Sequence, residues 1–187
     1  GFNFGYGHDP SKNRHNGVGV YYFDENLDIN DMGYLVRNDW LMIGGRASIK
    51  QTNFSQDSIT RARKYEIGYS LKSTSDFEKE PSGLSFSAEN SFTNTSEIKA
   101  EIFYRTTGKD NLITRKSTLS PYINMPKGYG VELEYRGPSD DFLQYGFEVD
   151  RRQGSRYSAA LGWQTSYQGK VSISPADTLS LSLFYKH

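Results

Sequence analysis

GYGVELEYRG (residues 128–137), FLQYGFEVDRRQG (142–154) and SRYSAALGWQTSY (155–167) decide the fold. In the first of these, Tyr129, Val131, Leu133 and Tyr135 alternate with Gly130, Glu132, Glu134 and Arg136. The second repeats the pattern, with Leu143, Tyr145, Phe147 and Val149 against Gln144, Gly146, Glu148 and Asp150. The third sets Tyr157, Ala159, Leu161 and Trp163 against Ser158, Ala160, Gly162 and Gln164. A period of two is the mark of a β-strand, because successive side chains leave opposite faces of a pleated backbone. VSIS (171–174) and TLSLSLFYK (178–186) then read as a final strand pair.

The same rhythm runs back to the start. Gly1–His8 alternates Phe2, Phe4 and Tyr6 with Asn3, Gly5 and Gly7, and the DPSKNR cluster at Asp9–Arg14 predicts a turn. Asn16–Phe23, Trp40–Lys50, Thr60–Ser73, Gly83–Phe92 and Glu97–Thr106 read as further strands. Tyr34–Arg37 forms a hairpin with Trp40–Lys50, or the two are one long bent strand. Gly108–Asn111 reads as a turn, and Leu112–Met125 as a strand weakened by Pro121, which removes a ladder donor. No segment reads as a helix. About ten to twelve strands joined mostly by short turns form one domain over residues 1–187, and closure of such a meander removes its exposed edges.

Composition narrows the class. The 22 basic and 22 acidic residues balance, so no overall field argues for nucleic acid. There is no cysteine, which excludes disulfide scaffolds and thiol chemistry. Mean hydropathy is −0.71 and no apolar run approaches the ~20 residues of a membrane helix, which excludes a helical membrane protein only. A transmembrane barrel needs just ~9–11 alternating residues per strand. The chain starts directly on an alternating strand, as a mature or trimmed form would.

Alternation leaves two readings open. In a soluble β-sandwich or jelly roll that binds carbohydrate, the apolar face is the core, and exposed rings such as Trp40 or Trp163 stack on sugars. In an all-β, closed, up-and-down transmembrane barrel, that face meets lipid. Tyr65, Tyr104, Tyr129, Tyr135, Trp163, Tyr167 and Tyr185 near strand ends favour the barrel, since amphipathic rings gather at bilayer interfaces. Parity then puts Arg37, Arg46, Lys72, Lys99, Arg105, Arg136 and Arg152 on the lumen side. Glu66, Glu101, Glu132, Glu134 and Glu148 share that side, with Asp150. Such charges line a pore and contact its solute. The bland reading of each is a salt bridge that solvates the lumen.

Ser117–Met125 (STLSPYINM), Gly128–Arg136, Leu143–Arg152 (LQYGFEVDRR) and Arg156–Trp163 (RYSAALGW) together resemble the small monomeric outer-membrane porins specific for acidic oligosaccharides, the oligogalacturonate and sialate type. The resemblance lies in strand rhythm and in the acidic–aromatic–arginine run Glu134-Tyr135-Arg136. It implies a monomer in the Gram-negative outer membrane and a passive channel with an arginine track for small acidic sugars. This chain departs from the pattern in carrying as many acidic as basic residues, and in ending Phe184-Tyr185-Lys186-His187 without a terminal aromatic.

Enzyme chemistry finds little support. Barrels that act on lipid use a Ser–His pair, and only His8, His15 and His187 are available. His8 and His15 flank one turn and could approach each other, with no serine placed between them by spacing. Asp9, Asp24 and Asp28 are weak calcium ligands by spacing, and two histidines lack a third metal ligand. The expectation is a non-enzymatic channel without a cofactor, whose partners are outer-membrane lipid and a small hydrophilic solute.

Overall fold

A computed structural model describes the backbone of residues 2–23, 40–110, 123–138, 143–155, 158–176 and 179–186. It contains twelve strands: β1 Phe2–Ser11, β2 Arg14–Phe23, β3 Trp40–Gln51, β4 Thr60–Ser73, β5 Gly83–Phe92, β6 Glu97–Arg105, β7 Gly108–Asp110, β8 Ile123–Met125, β9 Gly128–Arg136, β10 Leu143–Ser155, β11 Ser158–Ala176 and β12 Leu179–Lys186. Ten of them form one antiparallel sheet in the order β1-β2-β3-β4-β5-β6-β9-β10-β11-β12, and β7 pairs with β8 in a separate ladder. Apart from the β7–β8 insertion this is a plain meander. Among the described residues no ladder joins β1 to β12, so these two strands are the sheet edges.

Several strand boundaries correct the sequence reading. The expected turn at Asp9–Arg14 shrinks to Lys12–Asn13, because β1 continues through Pro10 to Ser11. Its register slips between His8 and Ser11, where proline cannot donate to the ladder. Gly108–Asn111 is not a simple turn. Gly108–Asp110 is β7, supported by a Lys109 N–H bond to the Lys79 carbonyl at 2.9 Å. The strands expected at Ser155–Tyr167 and Val171–Ser174 are one strand, β11, which runs through Gly169. Tyr34–Arg37 and most of Leu112–Met125 lie outside the described residues.

Register sorts the side chains into two faces, since directly paired residues share a face. On one face, 25 large hydrophobic side chains of the described strands are exposed, including Phe4, Ile67, Phe86, Ile102, Leu133 and Phe147. Met125 is the only buried hydrophobic residue among those described. Among the described residues the sheet therefore has no dry core beneath its apolar face.

The apolar band does not follow the hydrogen-bonded rows. The row Ile67–Phe86–Ile102–Val131 is apolar in mid-sheet, but it continues to Asn16 in β2 and to Thr165 in β11. The apolar runs of those strands lie further along, at Val18–Tyr22 and at Tyr167–Ile173, displaced in opposite directions. The band crosses the strands obliquely.

Connections also sort by rim. Residues 24–39, 74–82, 106–127 and 156–157 join strands at one rim, whereas 12–13, 52–59, 93–96, 137–142 and 177–178 do so at the other. The four-residue turn Thr93–Ser96 is fixed by Asn94 Oδ1, which accepts from the Ser96 N–H at 3.1 Å and its hydroxyl at 2.6 Å.

Candidate functional site

The face opposite the apolar band carries the charges. Arg46, Lys72, Lys99, Arg105, Arg136 and Arg152 all fall on it by register. So do Glu66, Glu101, Glu132, Glu134 and Glu148. Arg37 lies outside the described residues.

Two neighbouring rows dominate the middle of this face. One runs Glu66–Ser87–Glu101–Glu132–Asp150–Ser166 across six strands. The next runs Lys64–Glu89–Lys99–Glu134–Glu148–Gln168. Carboxylates thus outnumber cations at mid-height. Beyond one row lie Arg46 and Arg152, then Lys72 and Arg105; beyond the other lie Arg136 and Lys170.

Most ion pairs here join residues two apart on one strand, where i and i+2 share a face. Lys64 Nζ lies 2.9 Å from Glu66, Lys99 Nζ 3.0 Å from Glu101, and Arg136 Nε 2.8 Å from Glu134. Arg152 grips Asp150 with two guanidinium nitrogens, its Nε at 2.6 Å, and Asp150 is 3% exposed. Cross-strand contacts link these pairs into a network. Lys99 also reaches Glu132 at 3.8 Å, and Arg136 reaches Glu97 at 3.6 Å. Two clefts open on this face. One, of about 490 Å³, is lined by Glu97, Glu134, Arg136, Glu148, Gln168 and Lys170. The other, of about 450 Å³, is lined by Arg46, Glu66, Lys72, Ser85 and Arg105.

Phe103 escaped the sequence reading. It sits in the charged face, in the row Ser85–Phe103–Gly130–Arg152, with the Arg152 guanidinium 5.5 Å from its ring centre. Gly130 makes the room: a Cβ there would overlap the Phe103 ring and approach the Arg151 carbonyl oxygen at 2.8 Å. The signal was the GYG run itself, since a glycine in a strand interior often marks close approach by a neighbour. Gly130→Leu is expected to destabilise the fold by about 1–3 kcal/mol through overpacking. Gly169→Ala, which meets nothing within 4 Å, changes stability by less than about 0.5 kcal/mol. Urea unfolding of both variants in detergent micelles checks the contrast.

The opposite face carries the rings. Tyr69, Leu84, Tyr104 and Tyr129 share one row, and Tyr129 packs edge-on against Trp163 at 5.3 Å between ring centres. Arg151 stacks over Trp163 at 5.1 Å.

The histidine pairing does not form. His8 pairs with Asn16 and faces the apolar side, whereas His15 pairs with Ser48 on the charged side. His15 Nδ1 instead meets Asp9 Oδ1 at 2.6 Å in an exposed contact. Among the described residues no three His, Cys, Asp or Glu converge as metal ligands. No described helix is long and apolar enough to cross a membrane, which leaves strands untouched. No protein-family model matches the chain, and no curated protein or solved structure is significantly similar to it.

Proposed function

We propose that the sheet closes into an outer-membrane β-barrel, with the charged face around a water-filled lumen and the apolar face in lipid. The protein is then a monomeric, non-enzymatic porin that passes small hydrophilic solutes by diffusion. One observation carries the reading: large apolar side chains are exposed while the central carboxylates opposite are shielded. Ile102 is 56% exposed, whereas the side chains of Glu66, Glu101, Glu132 and Glu134 are 24–28% exposed.

The energetics favour lipid over water around the apolar face. A fully buried large hydrophobic side chain contributes ~1.5–3 kcal/mol, so a half-exposed one forgoes about 1 kcal/mol. Over the 25 exposed strand residues that is about 25 kcal/mol of transfer free energy that contact with lipid would recover. A soluble sandwich would bury that face. In hydrocarbon, every backbone N–H and C=O also needs a partner, which a β-sheet supplies only by closing. The oblique apolar band suits strands tilted by ~35–45° to the membrane normal. The two longest connections, 24–39 and 106–127, fall on one rim, which suits the long outer loops of such barrels.

The charge rows refine the solute. Arg136 and Arg152 are committed to Glu134 and Asp150, and the two central rows are net acidic. That favours neutral sugars and cations at mid-pore. The acidic oligosaccharides implied by the porin resemblance would have to follow the cations nearer the rims. Conductance across a planar bilayer under a KCl gradient tests the whole reading. The expected result is a stable, ohmic channel from protein that needs detergent and shifts in gel mobility on heating. Heat-modifiable protein without conductance would refute the channel.

A further inference from the structure

β7 and β8 do not belong to the main sheet, and their position gives them a role. The Lys79 segment pairs with Ser73 at the end of β4. β7 adds to that segment through the Lys109 N–H, β8 pairs with β7, and β8 lies against β11. This small layer therefore links β4 to β11 directly. The main sheet needs five successive ladders, through β5, β6, β9 and β10, to make the same connection.

The layer lies over the charged face. At this rim Glu80 is fully buried, Ser82 is 7% exposed, and Arg105 Nε and Nη2 are shielded from solvent. On the apolar side of the same strand ends, Tyr104 and Tyr129 stay 43% and 46% exposed. Pro81 and Ser82 form a wall of the cleft that holds Arg46, Lys72 and Arg105. Met125, on β8, is buried in this layer.

Its attachment is mostly backbone. Thr106 N–H bonds to the Ser82 carbonyl at 2.8 Å, and the Ser82 N–H bonds back to the Thr106 hydroxyl at 3.0 Å. Gly108 packs on the Glu80–Pro81 peptide so closely that a Cβ would overlap it. A side-chain ion pair closes the edge, with Lys109 Nζ 2.7 Å from Glu78 Oε1. That pair is half-exposed and contributes little by itself, so Gly108 is the stronger hold.

We infer that the β7–β8 layer is a strap across the long-loop mouth of the pore, and that it sets the largest solute admitted. This rests on the channel reading and assigns that channel its narrowest point. A backbone strap of this kind restricts by size, as the charged rows below it restrict by sign.

The test compares wild type, Gly108→Val and the double variant Glu78→Ala/Lys109→Ala in planar bilayers containing KCl. Neutral polyethylene glycols of increasing size serve as the probe. Gly108→Val is expected to raise single-channel conductance and to admit a larger polymer, with the double variant shifting the same way by less. Heat-dependent gel mobility reports which variants keep a folded barrel. If Gly108→Val does not fold, the smaller Gly108→Ala, whose Cβ still overlaps the Glu80–Pro81 peptide, takes its place and decides. Equal conductance and an equal polymer cut-off in folded wild type and variants overturn the strap while leaving the channel intact. Conductance in neither overturns the channel, and the strap with it. Conductance only in the variants supports a strap that seals the mouth.

Discussion

Ile102→Arg is expected to cost about 2–4 kcal/mol in a phospholipid bilayer, the range for arginine on the lipid face near the midplane. Ile102 is 56% exposed and lies at the centre of the apolar row with Phe86 and Val131. On a water-facing surface the same change would stay within about 0.5 kcal/mol, because an exposed arginine is fully hydrated there. The two environments thus predict different outcomes for one substitution, and the difference exceeds the error of a urea titration. Folding into phospholipid vesicles, followed by tryptophan fluorescence across urea, measures it. Ser87→Arg is the matched control. Ser87 sits on the charged face between Glu66 and Glu101, so an added cation there meets carboxylates rather than lipid. Neutral behaviour of Ile102→Arg would refute a lipid-facing apolar band.

The strand rhythm was legible because each strand announces itself locally. Leu133 and Phe147 fall on the apolar face, and Glu132 and Glu148 on the other, as period two dictates. The pairs Lys64/Glu66, Lys99/Glu101, Glu134/Arg136 and Asp150/Arg152 were equally legible, since residues two apart on a strand must be neighbours. Register was not. Nothing local puts Glu101 beside Glu132, 31 residues later, or lets Lys99 bridge both. That alignment depends on where the turns fall and on the β7–β8 insertion between β6 and β9. Parity with Glu101 and Arg105 already puts Phe103 on the charged face; its place beside Gly130 and under Arg152 was obscured, because those contacts are set across the ladder. The strand β7 was misread because three residues of GKD carry no period, and their pairing comes from Lys79, far off in sequence. The stretch 168–170 between the two strands read at 155–167 and 171–174 belongs to β11, where Phe147 and Tyr185 flank Gly169 in register.

Register also makes the sharpest functional prediction. Lys99 stands between Glu101 at 3.0 Å and Glu132 at 3.8 Å, so this trio carries one net negative charge when all three are ionised. Glu101→Gln with Glu132→Gln converts that to one net positive charge without changing side-chain size. Two unit charges ~8 Å apart at an effective dielectric of about 40 interact by about 1 kcal/mol, roughly a fivefold change in local ion occupancy. Two removed charges compound to roughly tenfold or more in the cation-to-anion permeability ratio. Reversal potentials in a KCl gradient should therefore move toward the chloride potential. The effect should shrink as salt rises, because the Debye length falls from ~10 Å at 0.1 M to ~3 Å at 1 M. The same double change on a solvated outer surface would leave permeability ratios untouched. An unchanged reversal potential at low salt would mean that the row Glu66–Glu101–Glu132–Asp150 does not face the ion path. Folded, conducting protein is a precondition the same recording supplies. The sign of the shift is then informative by itself: it follows from which carboxylates share Lys99, a fact of register that neither composition nor balanced net charge contains.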